Sequence, residues 1–181
     1  MSTGPDFSEG PVPSRSFGER LLGALRLDAT VYEEVEHTPD ALGQAAGVVA
    51  LAAVARGLGV SGDFTLIMPL IGGFIAWLIG TGLIWLVGVK ILQHSSDFPE
   101  LLRTLGFASA PELLYVLGVV PLGPLAPLLV FAVLILGIFA WVIAVRQALD
   151  VTTGRAVAVC VLAKLPIVIL LLLGLLSAPS A

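Results

Sequence analysis

The chain has 181 residues, of which 57% are hydrophobic and only 12% are charged, whereas an ordinary soluble domain carries roughly 25% charged residues. With a mean hydropathy of +1.04, it has too little polar surface to cover a core in water. Composition therefore excludes the soluble, disordered and collagen-like classes and indicates an integral membrane protein. The net charge of −4 argues against a nucleic-acid partner, because phosphate binding needs a basic face.

The polar N-terminal part of the chain divides into two segments. Residues 1–16 are rich in Pro, Gly and Ser and predict a disordered cytoplasmic tail. Residues 17–38 predict two short amphipathic helices at the membrane surface, with a solvated acidic linker as the alternative. Asp28 and Thr30 are suitable N-caps, and Glu33 completes a capping box with Thr30. The apolar stripes are Leu21, Leu22 and Leu25 in the first helix and Val31, Tyr32 and Val35 in the second.

Residues 39–176 contain five apolar runs close to the ~20 residues that a helix needs to cross a bilayer. The runs are 41–59, 65–89, 101–120, 127–146 and 156–176. Short polar or Pro- and Gly-containing linkers separate them, and Ser109 and Pro111 interrupt the third. We predict an all-α membrane domain of five transmembrane helices, followed by a short C-terminal tail, residues 177–181.

The basic residues concentrate on one side of this arrangement. If the N-terminus is cytoplasmic, only Arg56 lies at the outer side, and Lys164 lies within the fifth run. The inner side then holds Arg15, Arg20, Arg26, Lys90, Arg103, Arg146 and Arg155. The positive-inside rule therefore predicts a cytoplasmic N-terminus and an external C-terminus. Few lysines beside many Ala, Gly, Leu and Val residues suggest a GC-rich bacterial genome, and hence a bacterial plasma membrane.

The sequence contains no motif of a soluble enzyme, such as a phosphate loop, a nucleophile elbow or paired cysteines. His37 follows Glu33 by four residues, but a metal needs three or four converging ligands and His94 is far away in the chain. Cys160 lies in an apolar run and is expected to be an inert buried thiol. We therefore expect no catalytic, cofactor or metal site.

Two ionisable residues lie deep in the predicted spans. Glu112 and Lys164 each follow an arginine at the inner end of a span by nine residues, which is about 13 Å of helical rise. A lone charge at the bilayer centre costs at least ~2.5–3.5 kcal/mol, so equal depth predicts an ion pair between them. The alternatives are snorkelled side chains, a proton or ion relay, or a capping box of Ser109 and Glu112 where a helix restarts, with Pro111 near its N-terminus. Pro166 frees a backbone carbonyl near Lys164 and hints at a polar pocket.

Small residues at a spacing of four predict close helix packing. Gly43 and Gly47 lie in the first span, and Gly72, Ala76 and Gly80 lie in the second. Such faces let helix backbones approach closely. They serve either the packing of this bundle or a homodimer.

Three segments resemble the Yip family, the Ypt-interacting-protein membrane domain, in a bacterial-type version. They are Leu27 to Val35, Leu105 to Leu114, and Trp141 to Ala156. The resemblance covers roughly residues 25–176 and implies five spans with a cytoplasmic N-terminus. Eukaryotic relatives act in vesicle traffic and contact Rab-type GTPases. Their Asp-Leu-Tyr-Gly-Pro motif is not found here, and the Gly-Tyr of their second motif is Gly106-Phe107, so a GTPase-binding role is not carried over.

These observations predict a non-enzymatic membrane protein that scaffolds or organises partners. Its expected partners are the lipid bilayer and either another membrane protein or a second copy of the chain. The alternative function is a small transporter or channel component that uses Glu112 and Lys164.

The predicted topology can be tested with reporters fused to the C-terminus. Because the basic residues segregate seven to one, the C-terminus should lie outside the cytoplasm. A reporter that is active only outside the cytoplasm should therefore be active when it is fused to the C-terminus. A strong signal from a reporter that is active only in the cytoplasm would contradict the five-span topology.

Overall fold

The computed structural model describes residues 15–61 and 66–176, with side chains up to residue 169 apart from that of Ser61. Almost all of the predicted N-terminal tail and the whole predicted C-terminal tail lie outside this part. All regular structure in the described residues is helical. The elements are α1 (Phe17–Leu25), α2 (Ala29–Glu36), α3 (Ala41–Arg56) with a π-helical extension (Gly57–Ser61), α4 (Ile67–Trp85) with a π-helical extension (Leu86–Ile91), α5 (Phe98–Phe107), a 3-10 helix (Ala110–Val119), a 3-10 turn (Gly123–Leu125), α6 (Ala126–Ala148) and α7 (Thr153–Leu176).

Three helices in the described part of the chain are long and apolar enough to cross a membrane. They are Ala41–Val60, Ile67–Ile91 and Gly123–Ala148, and they match the first, second and fourth predicted runs. Helix α7 has 24 residues and covers the fifth run. The prediction of an all-helical membrane protein is confirmed, whereas the count of five transmembrane helices stays a prediction.

The third predicted run is divided between α5 and the 3-10 helix. The break falls at Ser109, and Pro111 lies in the first turn of the 3-10 helix, as the sequence indicated. The capping box that the sequence predicts for Ser109 and Glu112 does not form. The side chain of Ser109 makes no capping hydrogen bond, and Glu112 pairs with Arg56. Ten residues is long for a 3-10 helix, since its hydrogen bonds have poorer geometry than those of an α-helix.

Glycines let the 3-10 helix lie directly against α3. A Cβ atom at Gly118 would overlap the backbone of Gly59, and one at Gly106 would lie 2.7 Å from the Cβ of Ala45. The earlier residue of one segment, Ala45, meets the earlier residue of the other, Gly106, and the later residues Gly59 and Gly118 also meet. Helix α3 with its extension therefore runs parallel to α5 and the 3-10 helix. Only residues without a side chain allow two backbones to approach this closely.

Helices α4 and α6 also run parallel. A Cβ atom at Gly80 would lie 2.6 Å from Trp141, and one at Gly88 would lie 2.7 Å from Leu149. These pairs keep the same spacing along both helices. The two parallel pairs are joined by the antiparallel contact of Gly73 in α4 with Ala53 in α3.

Helices α1 and α2 form an N-terminal hairpin that packs on one end of the bundle. A capping box of Ser16 and Glu19 starts α1, and Asp28 caps α2 by accepting from the backbone N–H of Thr30 at 3.0 Å. Of the two predicted caps for α2, the structure therefore uses Asp28. These local bonds define the two short helices, whose lengths alone would not make them stable.

The apolar stripe of α2 is buried in protein rather than laid on the membrane surface. Val31, Tyr32 and Val35 are at most 1% exposed and join the core of the bundle. The stripe of α1 is divided, because Leu22 is 54% exposed while Leu21 is partly buried against the core. The two predicted amphipathic helices are present, and the bundle itself supplies the apolar contact for the stripe of α2, while their position at the membrane surface stays a prediction.

Arg103 fastens the hairpin to the bundle. Its side chain is buried, its Nε donates to the carbonyl oxygens of Val35 and Glu36 at 3.1 Å each, and its Nη2 also donates to Glu36. The last carbonyls of a helix lack partners within it and carry the negative end of its dipole. Arg103, which served in the sequence only as a marker of the inner side, therefore caps α2 from another helix.

Replacing Gly80 by Leu tests the contact between α4 and α6. The new Cβ atom would lie 2.6 Å from Trp141, so overpacking should destabilise the protein by about 1–3 kcal/mol and lower its melting temperature in detergent. Gly72→Leu is the matched control, because no atom lies within 4 Å of a Cβ there. Equal melting of the two variants would show that α4 does not pack on Trp141.

Candidate functional site

Four side chains from four elements meet at two neighbouring cavities of the bundle, where Glu112 and Trp141 are partly buried and Arg56 and Lys164 are exposed. They are Arg56 of α3, Glu112 of the 3-10 helix, Trp141 of α6 and Lys164 of α7, and we call them the central polar cluster. All four line two neighbouring cavities. The cluster joins the predicted deep residues Glu112 and Lys164 to two residues that the sequence did not single out.

The partner of Glu112 is Arg56. Oε2 of Glu112 lies 2.6 Å from Nη2 of Arg56, and the guanidinium also stands 5.7 Å from the ring centre of Tyr115. Both partners of Arg56 lie on the 3-10 helix. The predicted pair between Glu112 and Lys164 is therefore corrected, although Lys164 lines the same cavities.

The correction has a geometric cause. Glu112 lies in the first turn of the 3-10 helix, which has about 3.0 rather than about 3.6 residues per turn, so its side chain points in another direction than it would in a continued α-helix. The sequence also placed Arg56 at the outer edge of its span, whereas the π-helical extension Gly57–Ser61 continues the helix beyond it. No local signal in the sequence reveals either change.

Lys164 packs against an aromatic face. Its Nζ lies 4.1 Å from the ring centre of Trp141, within the range of a cation–π interaction. Lys164 forms no ion pair within the described part of the chain. Pro166 lies inside α7 and lines neither cavity, and the contribution of the carbonyl that it frees to the polar surroundings of Lys164 stays a prediction.

The smaller cavity, which we call the inner cavity, has a volume of about 240 Å³ and lies between α3, α4 and the cluster. Ser109 and Ala76 line it together with the cluster. Trp77 also lines it and donates from its Nε1 to the carbonyl of Leu102 at 3.2 Å, which fixes that indole ring. The inner cavity is therefore a partly polar space at the level of the Arg56–Glu112 pair.

The larger cavity, which we call the outer groove, has a volume of about 640 Å³ and lies between α6 and α7. This volume is within the range of about 300–1,000 Å³ that is typical of small-molecule sites. Apart from the cluster, its walls are almost entirely apolar. They include Val133, Ile138, Val157, Val161 and Leu165. Cys160 also lies in this wall and is partly buried.

The predicted packing residues do not share one environment. Gly80 contacts Trp141, Ala76 lines the inner cavity, and Gly43, Gly47 and Gly72 have no neighbouring atom within 4 Å of a Cβ position. The close backbone contacts instead involve Gly59, Gly106 and Gly118, while Gly73 and Gly88 lie against the side chains of Ala53 and Leu149. Spacing alone identifies small residues but does not show which of them face a neighbouring helix. The homodimer alternative stays a prediction.

Two groups at the hairpin end of the bundle have raised pKa values. Burial, the largest cause, raises the pKa of Glu36; His37 lowers it and the carboxylates of Asp150, Glu100 and Glu33 raise it, and together these effects bring the pKa to about 7. A hydrogen bond of His37 Nδ1 to the Glu33 carbonyl, at 2.9 Å, raises the pKa of His37. The described residues contain no group of three or more His, Cys, Asp or Glu side chains that could hold a metal ion.

The Yip1 domain matches residues 30–176. The chain belongs to the Yip1 family. The resemblance of the three segments is thus confirmed, and the matched region contains α2 from Thr30 onward, the bundle and the whole central polar cluster. No curated protein and no solved structure gives a significant match to this Yip1-family chain.

A double-mutant cycle tests the partner of Glu112. Arg56→Gln and Glu112→Gln should each destabilise the protein in detergent, and the double variant should recover part of the loss, with a coupling of the order of 1 kcal/mol. The reason is that each single variant leaves one charge at membrane depth without its partner, although the Arg56 side chain is 48% and that of Glu112 26% exposed within the protein. The corresponding cycle for Lys164→Met and Glu112→Gln should show a smaller coupling. A larger coupling in this second cycle would restore the pair that the sequence predicted.

Proposed function

We propose that this Yip1-family protein is a non-enzymatic scaffold that organises partner proteins in a bacterial plasma membrane, with its N-terminus in the cytoplasm. Membership of the family supports a membrane protein, and the positive-inside rule supports the orientation. The observation that carries the proposal is the rigid attachment of the N-terminal hairpin to the bundle.

Arg20 joins three helices at this attachment. It is 3% exposed, and its guanidinium lies 2.8 Å from Glu34 of α2 and donates to Gln44 of α3 at 2.9 Å. Together with the bonds of Arg103 to the end of α2, this contact fixes the hairpin against the membrane helices. A surface held in one geometry loses less entropy on binding a partner than a mobile tail does.

The outer face of the hairpin combines apolar and acidic side chains. Glu19, Leu22 and Glu33 are exposed on the hairpin, as is Arg26 at the end of α1, and Leu22 is the exposed large hydrophobic residue of α1. Such a face complements a partner with basic residues around an apolar spot. We therefore propose this outer face as the contact surface for a partner.

A small transporter or channel component is the second candidate. The inner cavity supports this candidate, because Arg56, Glu112 and Lys164 line it. Ionisable residues at membrane depth often mark ion or proton pathways. The geometry favours the scaffold, because the bond between Arg56 and Glu112 already satisfies both charges within the protein.

Site-specific photo-cross-linking in cells tests the scaffold. A cross-linking amino acid at Leu22 or Glu33 should give discrete protein adducts of defined mass. At Phe131, which is 62% exposed on α6, the same group should not give those adducts. With the probe at Leu22, Glu33→Lys should lower the adduct yield, because it reverses one charge of the surface. The same adducts at all three positions, or none on the hairpin, would contradict the proposal.

Flux measurements separate the two candidates. The purified protein in liposomes should transport protons and small ions no faster than the Arg56→Gln/Glu112→Gln double variant. Flux through the wild-type protein that the double variant abolishes would instead support the transporter.

A further inference from the structure

The outer groove opens to the side of the bundle that faces lipid. Large hydrophobic side chains at its wall are strongly exposed, as shown by Ile138 at 53%, Phe139 at 56% and Val161 at 55%. Exposed apolar surface on membrane helices contacts acyl chains. A groove of about 640 Å³ between two such helices therefore offers an acyl chain a longer apolar contact than a flat helix face does.

The part of this groove that is lined by the central polar cluster carries an excess of positive charge. Arg56 and Lys164 stand there beside one carboxylate, Glu112, which is already bonded to Arg56. Lys164 meets the ring of Trp141 and forms no ion pair among the described residues. The complement of this part is an anion, and Arg and Lys are the side chains that bind phosphate.

This charged part of the groove lies within reach of a membrane surface. Arg56 precedes Val60, the last residue of its span, by only four positions, which corresponds to roughly 6 Å of helical rise. Its side chain is 48% exposed. Long basic side chains extend toward the headgroup region while their stems stay in apolar surroundings. A lipid phosphate from the nearer leaflet can therefore meet Arg56, and Lys164, which lies deeper in its span, lines the same groove.

We propose that the outer groove binds an anionic phospholipid from the surrounding bilayer. Its phosphate lies beside Arg56 and Lys164, and one of its acyl chains lies between α6 and α7. Charge complementarity selects an anionic over a zwitterionic headgroup. The two cations Arg56 and Lys164 outnumber the single carboxylate of Glu112, so the cluster has an excess of positive charge. This site is separate from the proposed contact surface of the hairpin and does not depend on a scaffold role.

Native mass spectrometry tests the selectivity. The purified protein is titrated with phosphatidylglycerol or phosphatidylcholine of the same acyl chains. The wild-type protein should bind phosphatidylglycerol more tightly. Lys164→Met should weaken phosphatidylglycerol binding by at least about fivefold, the value of roughly one basic contact to an anionic lipid, and should weaken phosphatidylcholine binding less, because the choline cation offsets the charge of its phosphate. Lys164→Arg keeps the charge and should retain most of the affinity.

Lys90 provides the matched control. Like Lys164, it lies over a tryptophan ring, with its Nζ 4.7 Å from the ring centre of Trp85, but it is outside the groove. Lys90→Met should leave lipid affinity unchanged. An equal loss in Lys90→Met and Lys164→Met would show that general surface charge attracts the lipid, and would overturn the proposal.

Fluorescence quenching locates the acyl chain. Trp141 lines the groove, so phosphatidylglycerol with brominated chains should quench its emission more than brominated phosphatidylcholine does, in a Trp77→Phe/Trp85→Phe background. If that background fails to fold, the mass spectrometry alone decides. Equal binding of the two lipids, or full competition by inorganic phosphate at equal concentration, would refute the proposal, because the first removes the charge selectivity and the second removes the role of the groove.

Discussion

The packing of the 3-10 helix against α3 determines where the polar groups of this bundle lie. Gly59 and Gly118 allow the two backbones to touch, and this contact brings Glu112 and Tyr115 to the guanidinium of Arg56. Because Glu112 is then satisfied, Lys164 packs on Trp141 instead. The two cavities meet at the cluster, because Arg56, Glu112, Trp141 and Lys164 line both of them.

A second constraint is that few water molecules are available to polar groups near the bilayer. The end of α2 presents carbonyl groups without partners inside the helix, and Arg103 supplies the donors from α5. Helix α5 therefore links two parts of the molecule. It holds the N-terminal hairpin at its start, and after the break it continues into the segment that carries Glu112. Both the proposed contact surface and the proposed lipid site depend on the position of this one short helix.

Much of the architecture could be predicted because it depends on local composition. Apolar runs predicted the long helices, and Pro111 marked the break in the third run because proline favours the first turn of a helix. Asp28 was identified as a cap from its position before α2. The site was predicted only in part. Glu112 and Lys164 stand out because a charge in an apolar run is conspicuous, whereas Arg56 sits near a span end, where an arginine is usually read as an interfacial residue.

The sequence by itself determined that this is a helical membrane protein of the Yip1 family and which of its charged residues lie within apolar runs. These properties follow from residue type and order, because the cost of exposing polar groups to lipid does not depend on the neighbours of a helix. Only the tertiary structure decided which residues meet. The partner of Glu112, the difference between Gly72 and Gly80, and the burial of the α2 stripe all depend on helix rotation and rise, which π- and 3-10-helical segments change over a few residues. Pairing across the bundle is therefore a property of packing rather than of sequence spacing.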